Sequence, residues 1–187
     1  MMCPKLILAT MTIIGISASF AAAAPLSAYA GQQTREIKAL SAQEVDDLFN
    51  ARGMALAQAA ELNGFPGPAH TIETAKELSL TPEQLQKVSN IKARVEAAAK
   101  PLGAKIVARE RELDQLFASR KITGRQVDAL TAAIGKLQGQ LRGIHLAAHL
   151  ETTALLTAVQ IARYNELRGY ASPDALPAHN PPKNHGG

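Results

Sequence analysis

The fold is decided by residues 124–155, which read GRQVDALTAAIGKLQGQLRGIHLAAHLETTAL. Apolar positions recur there every three or four residues, which is the spacing of one face of an α-helix. They are Val127, Leu130, Ile134, Leu137, Leu141, Ile144 and Ala148. No convincing run beyond the N-terminal apolar segment alternates apolar and polar residues, as a half-buried strand would. The pattern therefore predicts a long amphipathic helix in an all-α protein.

A second long helix is predicted just before it, over residues 81–117. Pro82 suits the first helical position, where its missing N–H costs nothing. The apolar stripe follows the same spacing and includes Leu85, Val88, Lys92, Val95, Ala99, Leu102, Ile106, Arg109, Leu113 and Leu116. Pro101 predicts a kink within it. Because only residues 119–123 connect the two stripes, they predict a long antiparallel helical hairpin packed like a coiled coil.

Short helices are predicted on both sides of the hairpin. The first covers residues 41–62 and begins at Ser41, which has capping-box spacing to Glu44. Two prolines and two glycines in residues 63–68 end it, and a short helical turn follows at 70–78. Another short helix runs from Thr157 to Gly169. The predicted domains are therefore 31–68 (N-terminal helix and Pro/Gly linker), 69–170 (helical domain) and 171–187 (disordered tail).

Residues 1–30 have the layout of a secretory signal peptide. Lys5 precedes an apolar run at residues 6–24, and Ala28-Tyr29-Ala30 forms an A-x-A-like cleavage site. Cleavage after Ala30 would release a periplasmic protein. The run is also close to the ~20 residues that span a bilayer, so an uncleaved inner-membrane anchor is the alternative.

Composition limits the possible functions. The single cysteine, Cys3, lies in the predicted signal, so the mature chain has no disulfide or thiolate chemistry. Its 157 residues suit one domain, and its formal charge of +3 is too small for a nucleic-acid-binding signature. No nucleophile elbow, phosphate loop or H-E-x-x-H motif is present. We therefore expect neither an enzyme nor a nucleic-acid-binding protein, and no required cofactor.

Two segments share the form L-T-x-x-Q, and each opens a predicted helix. The first contains Leu80, Thr81 and Gln84, and the second Leu156, Thr157 and Gln160. The threonine can cap the helix start, and the glutamine three residues later can reach back to the cap. From these residues alone, the motif predicts two well-capped helices and no catalyst.

Two such motifs flanking a long helical hairpin resemble the Spy/CpxP family of periplasmic proteins over residues 69–170. That family includes stress-induced chaperones and related heavy-metal-resistance sensors and zinc-associated proteins. The resemblance implies an envelope stress protein that binds unfolded clients and pairs into a homodimer, with a possible envelope signalling partner. It also implies structural roles for the six motif residues.

His145 and His149 are the residues that most suggest a chemical site. Their spacing of four places both imidazoles on one helix face, where they could share a divalent metal such as zinc, nickel or cobalt. Further ligands could come from His70 and Glu73, which are three residues apart, or from Glu151 and Met54. The alternative is two solvated histidines beside the core stripe. A metal sensor or metal-binding resistance protein is therefore the second hypothesis, while His179 and His185 belong to the tail.

Glycines also recur every four residues on another face of the same helix, at Gly135, Gly139 and Gly143. They predict either the close approach of another helix or simply a loosened helix, since each costs ~1 kcal/mol relative to alanine. The spacing does not decide between the two.

Overall fold

The structure is a computed structural model, in which residues 27–170 are described. Residues 27–31 form a turn, in which the Ala30 N–H donates to the Ser27 carbonyl at 2.9 Å. A separate compact unit begins at Gln32. Most of the predicted signal, with Cys3 and Lys5, and the predicted tail, with His179 and His185, lie outside the described residues.

The described residues contain six α-helices, a short 3-10 turn at Gln32–Thr34 and no strand. The helices are α1 (Ala42–Phe49), α2 (Gln58–Glu61), α3 (Pro68–Glu73), α4 (Pro82–Ala118), α5 (Gly124–Leu155) and α6 (Ala158–Leu167). The predicted all-α class is therefore confirmed. No helix in this part of the chain is long and apolar enough to cross a membrane.

The long helices α4 and α5 form the predicted antiparallel hairpin. Gln84 contacts Leu155 and Arg94 contacts Glu151, so residue numbers rise along one helix as they fall along the other. With 37 residues, α4 is about 55 Å long. It passes through Pro101 as one continuous helix.

The apolar stripes of α4 and α5 pack against each other, but the buried residues of α4 differ from the predicted ones at two positions. Leu130, Ile134, Leu141 and Ala148 are buried on α5, as the spacing predicts. On α4, however, Lys92 and Arg109 are exposed, although the predicted stripe ran through them. Ile91 and Val107 are buried instead. At these two positions α4 therefore buries the neighbouring apolar side chain, and not the charged one that the strict three-and-four spacing predicted.

The prediction of one helix over residues 41–62 is wrong. Helix α1 ends at Phe49, and α2 contains only four residues. Between them, Ala51, Met54 and Ala55 have φ angles of 55°, 44° and 59°, which a right-handed helix cannot contain. Ala51, Met54 and Leu56 pack against the core, so tertiary packing overrides the local helical preference. The turn predicted at 70–78 is also shorter, because α3 ends at Glu73.

The N-terminal segment covers part of the hairpin. Ile37 and Leu48 join one core cluster with residues from both long helices, namely Ala99, Ile106, Val107 and Leu141. This segment therefore covers part of the surface of the hairpin.

Gly103 allows α4 to approach α1 closely, whereas the three regularly spaced glycines of α5 lie in open space. A Cβ at Gly103 would lie 2.0 Å from the Leu48 carbonyl oxygen, so α1 and α4 meet through backbone there. Around Gly135, Gly139 and Gly143 a Cβ would meet nothing within 4 Å. Among residues 27–170, the three α5 glycines therefore serve no close contact.

These environments predict opposite effects of the same substitution. Gly103→Ala should destabilise the protein by about 1–3 kcal/mol, because backbone must move to admit the methyl group. Gly135→Ala should stabilise it by up to ~1 kcal/mol, because alanine favours the helix and the space is open. Urea unfolding of both variants and the parent measures the difference. Equal changes of the same sign would contradict this packing.

Candidate functional site

Both L-T-x-x-Q motifs form complete capping boxes at helix starts. At α4, the Thr81 hydroxyl accepts from the Gln84 N–H at 3.1 Å, and the Gln84 side-chain oxygen accepts from the Thr81 N–H at 3.0 Å. At α6, the Gln160 N–H donates to the Thr157 hydroxyl at 3.2 Å, and the Thr157 N–H donates to the Gln160 side chain at 2.9 Å. Each motif therefore satisfies N–H groups that a helix start leaves without partners.

The two motifs also bind each other through their glutamine side chains. The Gln84 amide nitrogen donates to the Gln160 side-chain oxygen at 3.0 Å, and the Gln160 amide nitrogen donates back to the Gln84 oxygen at 3.0 Å. We call this reciprocal pair the glutamine clamp. It joins two helix starts that are 76 residues apart in sequence.

Backbone carbonyls take up the remaining amide hydrogens of the glutamine clamp. The Gln84 amide nitrogen also donates to the Leu155 carbonyl at 2.8 Å, and that of Gln160 to the Leu78 carbonyl at 3.3 Å. Both side chains are partly buried. Since unpaired polar atoms are costly away from water, this full set of partners makes the clamp a specific, stabilising contact. Leu80 and Leu156, which precede the two threonines, are half-buried beside it.

A third capping box of the same type opens α5. The Thr123 hydroxyl accepts from the Gln126 N–H at 3.4 Å, and the Gln126 side chain accepts from the Thr123 N–H at 2.9 Å. Because isoleucine precedes this threonine, the segment does not have the form L-T-x-x-Q, although it has the same T-x-x-Q spacing. Where the structure describes the chain, the Gln126 side chain bonds only to Thr123 and takes no part in a clamp.

The predicted histidine pair is divided between two environments. His145 is buried, with 8% of its surface exposed, and its Nε2 has no hydrogen-bond partner among the described residues. Burial, and then the neighbouring His149, lower the pKa of His145 below its usual 6.5. It is therefore a neutral core residue, not the solvated one that its flank position suggested.

His149 faces the loop before α3 and the carboxylate of Glu61. Its Nδ1 hydrogen-bonds the Phe65 carbonyl at 2.7 Å and lies 3.6 Å from Glu61 Oε2. The ring fits because residue 67 is glycine: a Cβ there would lie 2.6 Å from His149 Cε1. His70 Nδ1 lies 3.7 Å from Glu61 Oε1. The structure thus brings His70 and His149 to the same carboxylate.

Glu61 is a half-buried anchor that the sequence patterns did not indicate. Its Oε1 accepts from the Tyr164 hydroxyl at 2.7 Å, from Arg168 Nε at 3.2 Å and from the Tyr170 hydroxyl at 3.3 Å. Burial, together with the hydrogen bond to this carboxylate, raises the pKa of Tyr164 well above its usual value. These contacts tie α2 to α6 across more than a hundred residues, and no local pattern signals them.

The arrangement does not form a metal centre as it stands. Among residues 27–170, no group of three or more histidine, cysteine, aspartate or glutamate side chains is placed to hold a metal ion. His149 Nδ1 is engaged with Phe65, and the Arg168 guanidinium holds Glu61. Glu151 pairs with Arg94, while Glu73 forms no ion pair in this part of the chain. Met54 lines a surface cleft.

The glutamine clamp predicts different effects at two similar caps. Gln160→Glu keeps the oxygen that caps Thr157 but loses the amide hydrogens donated to Gln84 and Leu78. It should therefore lower the free energy of unfolding by about 2–3 kcal/mol. Gln126→Glu loses no donated hydrogen bond and should change it by less than ~0.5 kcal/mol. Equal losses in chemical denaturation would mean that the clamp contributes nothing beyond capping.

The comparisons with known proteins agree with the motif geometry. The LTXXQ motif family matches residues 69–168, which is more than half of the chain and includes both clamp segments. No curated protein and no solved structure matches the chain. The chain therefore belongs to the LTXXQ motif family, as its resemblance to Spy/CpxP proteins predicted.

Proposed function

We propose that this protein is an exported periplasmic chaperone of the Spy/CpxP type, which binds unfolded or stress-exposed envelope proteins and performs no catalysis. The family membership and the signal-peptide layout support the periplasmic part of this proposal. An uncleaved inner-membrane anchor remains the minor alternative for the localisation. The observation that carries client binding is a pair of open surface clefts, each lined by apolar side chains together with polar ones.

The first cleft lies near the turn between α4 and α5, and we call it the tip cleft. Its volume is about 510 Å³, and its apolar lining consists of Ala39, Leu113, Phe117 and Ala118. Phe117 is 56% exposed, although it is a large aromatic side chain. Such exposure costs free energy in water, and an apolar partner would recover it.

The second cleft, the loop cleft, lies beside the loop that replaces the predicted helix. Its volume is about 470 Å³, and Met54, Leu56, Ala59 and Leu62 provide its apolar lining. Leu62 is 56% exposed. Arg142, which has no ion pair among the described residues, also lines this cleft. Both clefts therefore combine apolar surface with charge, which suits segments of an unfolded chain.

The clefts predict which side chains support chaperone activity. The purified protein should suppress aggregation of a denatured test protein on dilution from urea. Leu62→Ser together with Phe117→Ser should reduce the suppression several-fold, because each removes exposed apolar area from one cleft.

Val159→Ser is the matched control, because Val159 is 78% exposed but lines neither cleft. It should leave suppression unchanged, and all variants should keep the parental melting temperature. No suppression by the parent, or full suppression by the double variant, would contradict the proposal.

Metal binding is the second candidate function, and the convergence of His70 and His149 on Glu61 is the observation that favours it. A divalent zinc, nickel or cobalt ion at this point would compete with the Arg168 guanidinium for the carboxylate. Binding would therefore be coupled to release of the end of α6. His145 faces the core and lies outside this set. A homodimer and an envelope signalling partner also remain expectations from the family resemblance.

The metal hypothesis makes a directional prediction for Arg168. Arg168→Gln should strengthen zinc binding in calorimetric titration, because it removes a competing cation from Glu61. His149→Ala should abolish binding, whereas His145→Ala should change it little. If neither the parent nor Arg168→Gln binds zinc, nickel or cobalt below millimolar concentration, the metal hypothesis fails.

A further inference from the structure

Five charged side chains lie close together near the end of α4, and all but one of them form an ion pair. Arg109 pairs with Glu112 within α4. Arg111 pairs with Glu36, and Asp114 with Lys38, both of which lie in the N-terminal segment. Glu110 alone forms neither an ion pair nor a side-chain hydrogen bond with any described residue. Glu110 is therefore the exception among these five charged side chains.

Glu110 also lies in an apolar setting, because it lines the tip cleft beside Leu113 and Phe117. It is half-buried, and the loss of hydration raises the pKa of its carboxyl above its usual value. Among the described residues, no cation forms an ion pair with Glu110 that would oppose this rise. A half-buried carboxylate without a partner is destabilising, and a bound cation would offset that cost.

Lys38, which also lines the tip cleft, is already paired with another carboxylate. Lys38 Nζ lies 3.1 Å from Asp114 Oδ2, and its backbone N–H donates to Asp114 Oδ1 at 3.1 Å. Asp114 therefore holds Lys38 by two contacts. Within the described part of the chain, Glu110 is thus the one charged side chain of the tip cleft that has no ion pair.

We propose that Glu110 and Phe117 form a binding site for a lysine or arginine side chain that an unfolded client presents next to apolar residues. The carboxylate accepts hydrogen bonds from the cation, and the exposed aromatic ring offers its face to the same charge. Leu113, Ala39 and Ala118 contact the neighbouring apolar residues. This proposal rests on the proposed client binding and adds a preference: the tip cleft selects basic–apolar segments over acidic ones.

Fluorescence anisotropy with short labelled peptides tests the preference. One peptide alternates leucine with lysine, and matched peptides carry glutamine or glutamate in place of lysine. The purified protein should bind the lysine peptide most tightly and the glutamate peptide least. Glu110→Gln should weaken binding of the lysine peptide by about tenfold, which is the effect of one charge-assisted contact. It should leave the affinity for the glutamine peptide unchanged. Phe117→Ala should lower the affinity for both the lysine peptide and the glutamine peptide.

Glu112→Gln is the matched control, since Glu112 lies on the same helix but pairs with Arg109 and does not line the cleft. It should bind all three peptides as the parent does. The proposal is overturned if Glu110→Gln binds the lysine peptide like the parent, if the parent does not distinguish lysine from glutamate, or if it binds no peptide.

The aggregation assay separates this proposal from the proposed function. If the parent binds the lysine peptide through Glu110 but does not suppress aggregation, the chaperone function fails and the cation site stands. If the parent suppresses aggregation while Glu110→Gln leaves peptide affinity unchanged, the chaperone function stands and the cation site fails.

Discussion

The described structure depends on how the open end of the helical hairpin is closed. The short turn before α5 joins α4 and α5 at one end, but nothing covalent holds their other ends together. The glutamine clamp joins the start of α4 to the start of α6 there, and its amide hydrogens also bind the carbonyls of Leu78 and Leu155. Every polar atom of the two amides has a partner, so this closure is specific as well as favourable.

Local rules were sufficient for the parts of the fold that local chemistry controls. Thr81 and Thr157 cap helices because their hydroxyls and the following glutamines satisfy nearby N–H groups, which is visible in five residues of sequence. The long stripes likewise follow from helical periodicity. The pairing of Gln84 with Gln160 could not be derived in this way, because it joins residues 76 positions apart and each cap is complete without it.

Tertiary packing explains the predictions that failed. Residues 50–57 have no proline to stop a helix, yet Ala51, Met54 and Ala55 take left-handed backbone conformations so that this loop packs on the core. The cost of those conformations, of order 1–2 kcal/mol each, is offset by burial. His145 similarly looks like a surface residue by type, but the register of α5 against α4 buries it. Glu61 gains its role from Tyr164 and Arg168, whose positions only the folded chain defines.

Distance separates the defining motif from the proposed binding surface. Gln84 and Glu110 lie on the same helix, and 26 helical residues span about 39 Å. A peptide side chain held at the tip cleft therefore cannot touch the glutamine clamp. The motif stabilises the fold by fixing one end of the hairpin. The charged side chains near the other end differ in whether they form an ion pair. Glu110 and Glu112 are the same residue type two positions apart, yet only Glu110 lacks a cation. The family motif thus fixes the open end of the hairpin, and the proposed client selectivity would arise from residues that the motif does not include.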